Sequence, residues 1–140
     1  MASKVFLDAN IVLDFVLQRD GYERAKTIVL WAEHRKIAGF VSPTVVQICA
    51  YWIAKAYGVK KTKEIMTALL TFLSTIDTPH EQVLTALHSS MDDIEDALLY
   101  YTALHHGLDY IISKDQAFQK AALPSLPVIS PMDFIDTVGE

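Results

Sequence analysis

The chain has 140 residues, of which 51% are hydrophobic and 21% charged, with a formal net charge of −5 at pH 7. That length suits one domain with a continuous apolar core, and the mixture is too apolar for a disordered chain and too interrupted by polar groups for a membrane protein. The negative balance lacks the basic excess that phosphate binders usually carry, so any contact with nucleic acid has to be local or assisted by a metal.

Val5-Phe6-Leu7 opens the chain as a short, continuously apolar strand ending in Asp8. No long apolar segment or small-residue cleavage site precedes it, which sets the expectation of a cytoplasmic protein. Residues 22–36 place Ala25, Ile28, Val29 and Ala32 at helical spacing. Gly39-Phe40-Val41 reads as a second strand. Ser42 then serves as N-cap and Pro43 as first residue of a helix over 43–57, because proline's missing N–H costs nothing there. Cys49 lies beside Val45, Val46 and Ile48 and reads as core. As the only cysteine it excludes an intramolecular disulfide and a thiolate-rich zinc site.

A helix is expected over 61–74 and another opened by Thr78-Pro79. Asp93 caps a helix running to His106, with Gly107 as its left-handed exit. Tyr110-Ile111-Ile112 and Pro127-Val128-Ile129 read as the remaining strands. The longest apolar stretches, such as 94–104, contain charges or hydroxyls and fall short of the about 20 residues that cross a bilayer, so no membrane span is expected. With no repeat, low-complexity tract or flexible linker, one domain over 1–140 is expected. Four strands alternating with helices predict a three-layer α/β/α fold around a central, mainly parallel sheet.

Each strand ends in a polar group: Asp8, Ser42, Ser113-Lys114-Asp115 and Ser130. In an open parallel sheet these positions share the carboxyl edge, where ligand sites form, so Asp8 and Asp115 are expected to be neighbours. Met91-Asp92-Asp93-Ile94-Glu95-Asp96 adds four acids at a helix start. Clustered carboxylates repel one another unless protonated or bridged by a cation. A hard divalent ion, Mg²⁺ or Mn²⁺, takes oxygen ligands and resolves the conflict.

Simpler roles exist for each acid taken alone. Asp8 can cap a strand-to-helix turn, with Asn10 capping the following helix. Asp93 and Asp96 have the spacing of a capping box, and Asp115 suits a turn. Their joint placement favours the site. Asp14 reads as a polar-face helix residue. Trp31, Trp52, Tyr100 and Tyr101 read as packing, and Lys55, Lys60, Lys61 and Lys63 as a solvated face.

Val5-Phe6-Leu7-Asp8-Ala9-Asn10-Ile11-Val12-Leu13-Asp14 resembles the opening strand and turn of the PIN-domain family. Glu95-Asp96-Ala97-Leu98, followed by Gly107-Leu108-Asp109-Tyr110-Ile111-Ile112-Ser113-Lys114-Asp115-Gln116-Ala117-Phe118, resembles its closing signature. The resemblance extends to Pro127-Val128-Ile129-Ser130-Pro131-Met132-Asp133-Phe134. It implies a PIN-like fold and a Mg²⁺- or Mn²⁺-dependent endoribonuclease, often the toxin of a toxin–antitoxin pair, with Asp8, Asp96 and Asp115 as catalytic metal ligands. It further implies homodimerisation and an antitoxin partner.

One departure stands out: where many active members carry Glu in the helix after the second strand, this chain has Gln47. Asn10, Gln47 and Asp93 are read as supporting residues, and Lys114 as steering substrate phosphate. Because Gln47 supplies no charge, the alternative is a weakened PIN-like module that binds RNA or a protein through the same pocket. A phosphoryl-accepting regulatory domain explains the acids less well, because no acceptor Asp and partner Lys stand in a convincing order.

Overall fold

A computed structural model describes residues 1–139. Five short strands, β1 (Ser3–Leu7), β2 (Ile37–Val41), β3 (Leu73–Thr75), β4 (Tyr110–Ile112) and β5 (Val128–Ile129), form one sheet in the order β3-β2-β1-β4-β5. Every neighbouring pair is parallel. Among the described residues eight helices connect and flank the strands: α1 (Ala9–Val16), α2 (Tyr22–Glu33), α3 (Pro43–Tyr57), α4 (Val59–Leu69), α5 (His80–His88), α6 (Ile94–His105), α7 (Gln116–Ala121) and α8 (Pro131–Val138). The arrangement is the expected three-layer α/β/α fold. Val5, Phe6, Leu7, Ile111 and Ile112 on the central strands are fully buried, as strands covered on both faces require.

Sequence order reverses between β1 and β4. From β1 the chain builds outward through β2 and β3, then returns to place β4 and β5 on the other side. The crevice above that junction is where open parallel sheets form their ligand sites. Register makes the junction close: Leu7 pairs with Ile112, and the Asp8 amide donates to the Ile112 carbonyl at 3.1 Å.

The helix over 43–57 forms as expected. The Ser42 hydroxyl accepts from the Val45 amide, and Val45, Cys49 and Ile53 form its buried stripe. Asp93 caps α6 by accepting from the Asp96 amide, and Gly107 exits it at φ +68°.

Elsewhere the structure corrects the pattern. The helix expected over 61–74 stops at Leu69, and Leu73–Thr75 instead add a fifth strand beside β2, with Leu73 opposite Gly39. Three residues are too few for a periodicity of two to show, and the strand exists through its pairing with β2. β2 begins at Ile37, two residues before the expected strand, and shortens the preceding helix to Glu33. α7 and α8 were not anticipated. α7 has only six residues, whereas α8 repeats the Ser-Pro start of α3, with Ser130 accepting from the Asp133 amide. Asn10 does not cap α1; Asp8 does, and Asn10 lies in the first turn.

Two side chains are also differently placed. Asp14 is not on a polar face: it is 1% exposed and paired with Arg19 and Lys114. Trp52 is not packed, being 48% exposed, whereas Trp31 lies against Phe134 with ring centroids 6.1 Å apart.

Candidate metal centre at the carboxyl edge of the sheet

Asp8 leaves β1 and turns directly into α1. Its Oδ1 accepts from the Ala9 amide at 2.7 Å, so one carboxylate oxygen holds the helix start. Its Oδ2 accepts from the Ser113 hydroxyl at 2.7 Å and the Asn10 amide group at 3.4 Å. Ser113 is fully buried at the end of β4, and its Oγ also accepts from Asn10 Nδ2 at 3.3 Å and the Asp115 amide at 3.1 Å. The Lys114 amide donates to Asn10 Oδ1 at 3.4 Å. Asp8, Asn10, Ser113 and the Lys114–Asp115 backbone thus form one hydrogen-bonded mesh across the β1–β4 junction.

Asp115 opens α7. Its Oδ1 accepts from the Ala117 and Phe118 amides at 2.9 and 3.3 Å, which fixes the carboxylate through a single oxygen. Asp96 lies in the first turn of α6, where Asp93 Oδ1 accepts its amide at 2.9 Å. Three helix starts, of α1, α6 and α7, therefore deliver the three aspartates, and the partial positive charge of a helix N-terminus favours an acid at each.

Mutual repulsion shows that the acids share one field. Burial holds the Asp8 carboxyl above the usual range against the lowering effect of its Ser113 and Ala9 hydrogen bonds, and Asp115 and Asp93 push it further up. Asp96 is raised to about 7, first by burial and then by Asp93, Asp8, Asp115 and Glu95. Glu95 is raised by burial, Asp93 and Asp8. The Lys114 ammonium does not relieve them, because it is held by Asp14 and by the Asp20 carbonyl at 3.2 Å. The pairing answers a need of Asp14, since a carboxylate as buried as that one requires a cation.

Gln47 is exposed on α3, and with Thr44, Ile48, Tyr51, Trp52 and Glu95 it lines one cleft of about 600 Å³. Residue 47 therefore borders the acidic edge on the Glu95 side. Cys49 lies on the opposite, buried face of α3 with Sγ 3.9 Å from the Ala9 carbonyl. Burial first, and Asp8 next, push its thiol up to about 12, so it is core and no nucleophile.

Among the described residues no three His, Cys, Asp or Glu side chains already stand at distances that would hold an ion. The donor set nevertheless fits a hard divalent cation: the groups are carboxylates, the proton affinity of Asp8 and Asp96 is raised by burial and by their acidic neighbours, and the carboxylates of Asp8 and Asp115 are fixed by hydrogen bonds. Ser113 and Asp14 are structural members of this region to which the sequence assigns no part in the site. Ser113 carried a signal, as the polar residue ending β4 two positions before Asp115. Asp14 carried the opposite one, since a charged residue in a helix ordinarily faces water.

A parallel sheet with its order reversal at β1/β4, and acids from three helix starts gathered over that junction, define a carboxylate-site α/β domain. The chain belongs to the PIN domain family, whose model matches residues 4–117. No curated protein matches it in sequence. Among solved structures it is similar to a toxin–antitoxin complex from Klebsiella pneumoniae, with 20% identity, a TM-score of 0.68, and coverage of 91% of this chain and 97% of that one. It is also similar to Mycobacterium tuberculosis VapC20, described as a Sarcin-Ricin loop cleaving toxin, with 16% identity, a TM-score of 0.68, and coverage of 88% and 98%. VapBC2 from Rickettsia felis, solved with a DNA fragment from its promoter, aligns with 16% identity, a TM-score of 0.67, and coverage of 91% and 98%. At these identities the likeness concerns the fold.

Proposed function

We propose that this chain is a metal-dependent endoribonuclease of PIN type, formed by one domain and acting in the cytoplasm as the toxin of a toxin–antitoxin pair. The observation that carries the reading is the gathering of Asp8, Asp96 and Asp115, with Asp93 and Glu95 beside them, over the β1–β4 junction, while the nearby Lys114 ammonium is engaged by Asp14. Mg²⁺ or Mn²⁺ held by Asp8, Asp96 and Asp115, with Asn10 and Asp93 in support, would neutralise the acids and supply Lewis-acid activation of water for attack on a phosphodiester.

The chain's own residues prepare that chemistry. Ser113 and Asn10 orient Asp8, and the α7 amides hold Asp115. Burial of Asp8 lowers the local dielectric and strengthens each charge interaction there. The RNA substrate and the antitoxin partner are supported by the toxin descriptions of the similar structures. The exposed apolar side chains Leu84 and Leu87 on α5 fit coverage by a protein partner, an antitoxin or a second copy in a homodimer.

A second reading, a non-catalytic module that binds RNA or a protein, is favoured by the uncharged Gln47 and by the spacing of the acids. Calorimetric titration with Mn²⁺ separates the two. The nuclease reading predicts uptake by the wild type that is lost in Asp8→Asn, with an unchanged circular dichroism spectrum. RNA binding without metal uptake would establish the module.

A further inference from the structure

We propose that the exposed face of α3 bearing Tyr51, Trp52 and Lys55 is a stacking platform for the bases of single-stranded RNA, adjoining the acidic edge. The proposal deepens the ribonuclease reading and rests on it for the identity of the strand.

Phe6, Tyr100, Phe118 and Phe134 are fully enclosed, and besides Tyr51 and Trp52 the large aromatic side chain exposed by half or more is Tyr57, at the end of the same helix. Tyr51 and Trp52, consecutive in sequence, are 57% and 48% exposed. They meet edge to face, with centroids 5.2 Å apart and planes at 89°. The Lys55 ammonium lies 5.1 Å from the Tyr51 ring centroid and 5.4 Å from that of Trp52. Two accessible π surfaces with a cation between them are what a strand of stacked bases and phosphates requires.

Position ties this face to the acids. Both rings line the cleft that holds Gln47 and Glu95, and Glu95 precedes Asp96 on α6. At 1.5 Å per residue, Tyr51 lies about 6 Å and Lys55 about 12 Å beyond Gln47 along the α3 axis. A strand whose phosphate reached the acids would therefore run its neighbouring nucleotides along this face.

Charge points the same way. The chain carries 12 Lys and Arg against 17 Asp and Glu, yet between Glu33 and Glu64 there is no acid. That interval contains Arg35, Lys36, Lys55, Lys60, Lys61 and Lys63, half of the chain's Lys and Arg. Lys55, Lys60, Lys61 and Lys63 are all exposed on α3 and the start of α4. An acidic protein thus presents a local cationic strip directly beyond its exposed rings. The rival occupant is a second copy or another protein, but lysine is depleted at the centres of protein interfaces, and here one stands over both rings.

The test measures binding of a short, unstructured, fluorescein-labelled RNA by anisotropy, in the Asp8→Asn background so that no strand is cut. Tyr51→Ala and Trp52→Ala are each expected to weaken binding about tenfold, with Trp52→Phe retaining most of the affinity, and a duplex of the same sequence binding weakly. Lys55→Ala is expected to flatten the salt dependence of binding. Unchanged affinity in both ring variants overturns the platform, as does an Asp8→Asn protein that binds no RNA. Unchanged RNA affinity with a loss of dimer mass in light scattering overturns it in favour of a contact between copies. Ring-dependent binding by a wild type that never cleaves RNA would keep the platform and remove the nuclease reading; cleavage unaffected by the ring variants would do the reverse.

Discussion

Asp96 carries the clearest electrostatic signature in the molecule. Its carboxyl is raised from 3.8 to about 7 by burial and by Asp93, Asp8, Asp115 and Glu95. The folded protein therefore holds this proton more tightly than the unfolded chain. The stability it contributes is fully present below about pH 4 and is lost as pH rises towards 7. With metal removed by chelator, Asp96→Asn is expected to have a higher Tm than the wild type at pH 8, with the gap closing below pH 5. Added Mn²⁺ should reverse the order at pH 8, because only the ionised wild-type acids bind the ion. A gap that does not change with pH would show that Asp96 does not share the field of its neighbours.

Asp14 shows how a residue can mislead in sequence. It is enclosed, and its partners Arg19 and Lys114 are partly exposed, so removing it strands two cations that can still reach water. Asp14→Asn is expected to cost about 2 kcal/mol in urea unfolding, below the range for a fully buried pair. A loss under about 0.5 kcal/mol would mean that the pair is a surface contact in effect.

At the scale of elements, legibility followed length and capping chemistry. The bounds of α3 were readable because Ser42, Pro43 and a stripe at Val45, Cys49 and Ile53 agree with one another. β3 was not, because its three residues gain strand character only by pairing with β2. The same β2–β3 contact crowds Gly39. A Cβ there would meet Leu73 Cδ2 at 2.5 Å and Ala32 Cβ at 3.2 Å, so that the Leu73 side chain and the Ala32 turn of α2 would have to give way. Gly39→Ala is accordingly expected to destabilise by about 1–3 kcal/mol, and an unchanged Tm would show that Leu73 moves aside freely. The three aspartates were legible because each lies where a strand ends or a helix begins. The mesh that orients Asp8 was not, since it depends on Ser113 and Asn10, which are 103 residues apart and meet only through β1–β4 register.

The place of Gln47 on α3 decides whether it reaches the acids. Exposed and sharing a cleft with Glu95, it borders the site. Gln47→Glu adds a charged oxygen ligand there and is expected to tighten Mn²⁺ binding several-fold in calorimetry. Unchanged affinity beside a clear loss in Asp8→Asn would place residue 47 outside the reach of the ion.

For the whole molecule, charge is distributed by role. Acids gather where the sheet order reverses, and lysines gather along the end of α3 and the start of α4, although the net charge of −5 conceals that strip. Composition alone argued against nucleic-acid binding; the spatial separation of the two charge types removes the objection. The most direct measurement is cleavage of a single-stranded RNA by purified wild type and Asp8→Asn, each in Mn²⁺ and in chelator. Cleavage is expected from the wild type in Mn²⁺ only, with a loss of about a hundredfold or more in Asp8→Asn. Equal cleavage by both proteins, or cleavage that persists in chelator, would contradict the metal-dependent reading.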